Sequence, residues 1–156
     1  FPTRRSSDLI WLDDIMTSNI SSDSTRAYIC SVYSRNEDTN LDLKSLLEHE
    51  KFTVDLQQGI LSLNKITQKD SGESVLSSRM QSIAEKVDAI FSNVDLDFKE
   101  YYNRYKEFCS LIYYVNCQKS AILWVEIFHG YFSALVPNTA FFAKENVRFY
   151  AKDSKM

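Results

Sequence analysis

Glu126 and His129 form the one E-x-x-H pair in a chain that has only two histidines. Residues three apart share a side of a helix, so the pair could serve as metal ligands or as an acid–base couple. Di-metal carboxylate bundles use that spacing, but they take two such motifs and a Glu from each of two further helices. This sequence supplies one motif. The simpler reading is a buried polar contact in the apolar stretch AILWVEIFHGYFSALV, which Glu126 and His129 interrupt. A buried carboxylate without a partner loses several kcal/mol or gives up its charge. Lys119, earlier on the same face, or a tyrosine from a facing helix is expected to satisfy it.

The other histidine lies in Glu48-His49-Glu50. Neighbours on a helix point about 100° apart, so these three do not converge on a metal and read as a solvated face. Tyr101, Tyr102, Tyr105, Tyr113 and Tyr114 form the third candidate. Tyrosines stack single-stranded bases when cations track the phosphates. Here Glu100 and Glu107 offset Lys99, Arg104 and Lys106, so an aromatic packing face or a protein-binding surface is the expectation.

The sequence holds no glycine-rich phosphate loop, no HExxH and no GxSxG. Cys30, Cys109 and Cys117 are odd in number and lack CxxC spacing, which reads as reduced thiols in an intracellular, cytoplasmic protein. No metal or other cofactor is expected. The formal charge is 18 − 21 = −3, which gives no reason to expect nucleic acid as a partner. No uncharged apolar run is long enough to span a membrane.

The elements that must position these residues read as helices. Only three glycines and two prolines occur in 156 residues, too few for the turns of a β-sandwich or barrel. Leu76, Met80, Ile83, Val87 and Ile90 step as a helical seam, with Ser78, Gln81, Glu85 and Asp88 outside. Phe98, Tyr101, Tyr105, Phe108, Ile112 and Val115 form a second, aromatic seam after a short connection, so the two predict an antiparallel hairpin. The second seam either continues through residues 97–136 or breaks near Asn116–Ser120, where Ser120 can cap a new helix. Pro137 closes that region, and a last helix is expected from about Thr139. Leu43, Leu46 and Leu47 open a helix that runs, straight or kinked, through Gly59. Asp23, Asn40 and Asp95 are the expected N-caps. Residues 25–35 and 52–66 carry the main risk, since their β-branched and aromatic residues also suit strands.

The first nine residues, FPTRRSSDL, match the conceptual translation of a sequencing-library adapter and are set apart as non-native. Without them the charge becomes 16 − 20 = −4. Residues 10–156 are expected to form a single helical domain, the C-terminal fragment of a larger protein, opening with an amphipathic helix at Leu9–Met16. The fold expectation is therefore all-α, an irregular bundle or α-solenoid segment of five to seven helices. The functional expectation is a non-catalytic interaction or scaffold module with a protein partner. One alternative is a helical-bundle metalloprotein or enzyme using Glu126 and His129. Another is a small regulatory or immunity-type protein that binds one partner.

Overall fold

Helices account for every regular element among residues 19–34, 40–72 and 74–150, the residues that the computed structural model describes. The adapter-like Phe1–Leu9, the amphipathic Leu9–Met16 and most of the Arg35–Asn40 loop lie outside the described residues. The six α-helices among the described residues are α1 (Ser22–Val32), α2 (Leu43–Ser62), α3 (Val75–Phe91), α4 (Phe98–Ser110), α5 (Gln118–Phe132) and α6 (Pro137–Asn146). Short 3₁₀ turns at Leu63–Lys65 and Leu111–Tyr114 extend α2 and α4. Residues 25–32 and 52–62, where strands competed, are helical. Their alternation lost to helical burial: Leu46, Thr53, Leu56, Ile60 and Leu63 are buried on one face of α2 and its turn, while Val54 is exposed.

Helix ends follow local capping chemistry, at positions shifted from those the sequence suggested. Ser21 caps α1 by accepting from Ser24 N, Asp42 caps α2 through Ser45 N, and Asp97 caps α4 through Glu100 N. Asn40 and Asp95 sit two residues too early for those roles. The long aromatic stretch breaks: α4 stops at Ser110, and α5 begins after Cys117, whose sulfur accepts from Ser120 N. Ser120 itself lies inside α5. Pro137 begins α6 rather than merely ending the previous helix, because a first-turn position needs no backbone N–H.

The bundle closes on itself. Helix α1 packs on α2, α4 and α6, and α3 packs on both α4 and α5. Contacts between the first and last described helices exclude a solenoid, where units touch only their sequence neighbours. The seam of α3 is buried at all five expected positions, and that of α4 at Tyr101, Tyr105 and Phe108. Rings from α4 and α5 interleave in antiparallel order. Phe108 lies 5.2 Å from Trp124 and 5.5 Å from Phe132, Tyr105 lies 6.3 Å from Phe128, and Tyr101 stacks on Phe132 at 5.6 Å. The Trp124 indole donates to the carbonyl of Phe108 at 3.2 Å, a second donor to an oxygen that the Leu111 N–H also reaches at the end of α4.

Gly59 lies within an unbroken α2. A Cβ there would stand 3.5 Å from Ile112, so this position passes beside the Leu111–Tyr114 turn at ordinary contact distance.

Candidate functional site

Glu126 is exposed on α5, His129 is half-buried, and Lys119 is exposed with its ammonium 3.8 Å from Asp70. The buried polar pair anticipated from the sequence is thus corrected. The apolar side chains around Glu126 go inward, and Glu126 takes the remaining solvent-facing position of the turn. Its carboxylate bears instead on Tyr150, whose phenol is raised by desolvation and then by that charge. His129 accepts at its backbone carbonyl from the hydroxyl of Ser133. Among the described residues no group of three or more His, Cys, Asp or Glu side chains is arranged to hold a metal.

The Glu48-His49-Glu50 stretch also departs from the solvated-face reading. Only Glu48 is exposed. The His49 ring lies between Tyr28 at 5.0 Å and Tyr102 at 5.5 Å, so one imidazole joins α1, α2 and α4. Burial, reinforced by Lys106, holds that imidazole below its usual range, and Glu48 opposes the shift. Glu50 points to α1, where its Oε1 accepts from Ser21 N at 3.1 Å, Ser21 Oγ at 3.0 Å and Ser24 Oγ at 2.7 Å. Ser24 Oγ also lies 2.8 Å from Thr53 Oγ1. Serine, histidine and carboxylate are therefore close in the fold without forming a nucleophilic site. Ser24 is fully buried, and the His49 ring turns to the tyrosines.

Asp23 is the buried carboxylate that sequence reasoning misassigned. It does not cap its own helix; it caps α6. Its Oδ2 accepts from Thr139 N at 2.6 Å and Thr139 Oγ1 at 2.7 Å, and Oδ1 from Asn138 N at 3.3 Å. Val136, at the N-cap of α6, offers no side-chain acceptor, so the free N–H groups of that helix are met from α1. Arg26 lies 3.5 Å from the same carboxylate and donates to the Leu135 carbonyl at 3.3 Å. No local sequence signal announces this cap, because its acceptor and donors lie 116 residues apart.

The five tyrosines divide. Tyr101 and Tyr105 are core; the Tyr101 hydroxyl donates to the Tyr131 carbonyl at 2.6 Å, and the Tyr105 hydroxyl is buried beside the Cys109 thiol. Burial pushes the Tyr102 phenol up to about 12, with Cys109 contributing; Lys106 lies over its ring at 5.9 Å. Arg104 is held by Glu100 at 3.2 Å and Glu107 at 2.8 Å.

Tyr113 and Tyr114 are 77% and 68% exposed. The Leu111–Tyr114 turn buries Leu111 and Ile112 and thereby pushes the next two rings outward. Tyr114 lines a groove of about 490 Å³ with Val75, Leu76, Arg79, Leu111 and Asn116. Tyr113 lines a smaller cleft of about 210 Å³ with Phe52, Leu56 and Cys109 on its floor and Asp55, Lys106 and Ser110 around it. Burial pushes the Cys109 thiol up strongly, so it stays protonated and behaves as an apolar wall. The corner offers two adjacent rings, each with an apolar recess beside it and polar groups at the edge, and no activated nucleophile.

No known protein family, curated protein or solved structure matches this chain. Among the described residues no helix is long and apolar enough to cross a membrane.

Proposed function

We propose that this chain is a non-catalytic helical interaction module that binds a protein partner through the Tyr113–Tyr114 corner. The observation that carries the reading is the exposure of two consecutive tyrosines at the end of a 3₁₀ turn, flanked by recesses able to receive a partner's side chains. Tyrosine supplies large contact area at small entropic cost and is enriched where binding energy concentrates. Two buried, unpaired thiols at Cys109 and Cys117 fit work in a reducing, intracellular compartment.

The test is a photo-crosslinking amino acid placed at Tyr114, with the same group at exposed Glu145 on α6 as control. A discrete protein adduct from position 114 and none from 145 is the expected result. Equal labelling at both sites, or none at 114 in lysate of the source cells, overturns the reading. Stoichiometric metal in freshly purified protein would overturn its non-catalytic part.

A further inference from the structure

Helix α3 ends in an apolar corner at the far end of the helix from Tyr114. Phe91 is half exposed, Val94 fully exposed, and Phe98 stands edge-on to Tyr33 at 5.3 Å. Beside the corner, α3 and α5 flank a groove of about 550 Å³ lined by Val87, Asp88, Phe91, Gly130, Tyr131 and Ala134. Gly130 near the end of α5 and Ala134 in the turn after it keep that wall low; a Cβ at Gly130 would meet nothing within 4 Å. The sequence from the end of α3 into α4 is acidic. From Glu85 to Glu100 there are five carboxylates and two lysines, so 2 − 5 = −3, equal to the formal charge of the whole chain. One of those carboxylates, Asp88, lines the groove, and a second acts on its Tyr131. Asp88 Oδ2 accepts from the Tyr131 hydroxyl at 3.3 Å, and Glu85 acts on the same phenol.

We propose that this groove docks a basic amphipathic helix from a protein partner. The partner's apolar face lies on Phe91, Val94 and the low Gly130–Ala134 wall, and its lysines or arginines face Glu85 and Asp88. Grooves between helices accept such segments through apolar anchors at helical spacing, and carboxylates at the edge favour and orient cationic partners. The same charge disfavours the other occupants: anionic lipid headgroups and nucleic acid are repelled, and a second copy would oppose like charges. The proposal extends the interaction-module reading to a separate surface, so the two can fail independently.

The experiment titrates the whole chain against a fluorescent Leu/Lys amphipathic helix of about five turns and a Leu/Glu helix with the same apolar positions. The Leu/Lys peptide is expected to bind, more weakly as salt rises, and the Leu/Glu peptide not to bind. Gly130→Leu fills the groove from an open, exposed position without disturbing the fold, and should weaken the Leu/Lys complex about tenfold or more. Paired Glu85→Lys and Asp88→Lys substitutions should transfer the preference to the Leu/Glu peptide. Equal affinity for both peptides, or wild-type affinity in Gly130→Leu, overturns the proposal. So does a dimer in sedimentation that Gly130→Leu returns to monomer, since that assigns the groove to self-association. None of these variants touches Tyr113 or Tyr114, so failure here leaves the tyrosine corner standing.

Discussion

Asp23 ties the first described helix to the last. Replacing it with Ala strips Thr139 N and Thr139 Oγ1 of their acceptor in a fully buried place. Loss of a cap and an orphaned buried donor together cost about 2–3 kcal/mol. Urea unfolding of Asp23→Ala should show that loss, and an unchanged midpoint would deny the cap its role. His49 makes a second residue-scale prediction. Its folded form binds a proton less readily than the unfolded chain, so stability is complete above the unfolded imidazole value of about 6.5. It declines as pH falls through that value toward the lower folded one. The ring is half-buried, so solvent screening keeps the effect modest. His49→Gln should flatten the slope of stability just below about pH 6.5; Asp42 and Asp70, held below the ordinary carboxylate range by backbone N–H groups of Ser45 and Gly72, act at lower pH. At this scale the sequence was least legible. E-x-x-H drew attention to Glu126 and His129, yet one is exposed and the other only half-buried, while the carboxylates doing structural work were Asp23 and Glu50. Side-chain chemistry is visible in a sequence, but the partner of a buried polar group depends on distant chain packing.

Helices were more legible because burial is periodic. The spacing of Leu76, Met80, Ile83, Val87 and Ile90 specified α3 and its inward face, and the aromatic spacing specified α4. The break between α4 and α5 was harder to place, because Leu111–Tyr114 keeps helical hydrophobicity while its backbone tightens to 3₁₀. The α4–α5 ring ladder should be the most costly element to damage. Phe128 touches Tyr105, Phe108, Trp124 and Phe132, and Phe128→Ala should cost about 3–5 kcal/mol. Near-ultraviolet circular dichroism with chemical unfolding would test it; a loss below 1 kcal/mol or so would mean that the ladder relaxes around the cavity. Cys117 offers a milder element-scale test. Its buried sulfur caps α5, so Cys117→Ala should cost about 1 kcal/mol while Cys117→Ser is nearly neutral. Equal loss in both variants would assign the sulfur to packing alone.

For the molecule as a whole, fold class followed from scarce glycine and proline and from two consecutive seams, whereas the closed arrangement did not. Nothing in the local pattern indicates that α1 packs on α6, and that contact is what separates a bundle from an open solenoid. Tyr113→Ser with Tyr114→Ser should leave thermal unfolding within about 0.5 kcal/mol of the parent, since both rings are exposed. A larger loss would show that the corner supports the fold and would count against a surface reserved for binding. Legibility of the site was partial for the same reason as legibility of the fold. Five tyrosines announced an aromatic region, but helical phase and the 3₁₀ turn decided which of them reached solvent.

The cap that α1 provides to α6 also sets an order of assembly. During synthesis Asp23 emerges more than a hundred residues before Asn138 and Thr139 exist. Until they arrive, docking α1 would desolvate a carboxylate with too few donors. The first described helix is therefore expected to settle late, together with the last described one, so that closure of the bundle is a single cooperative event.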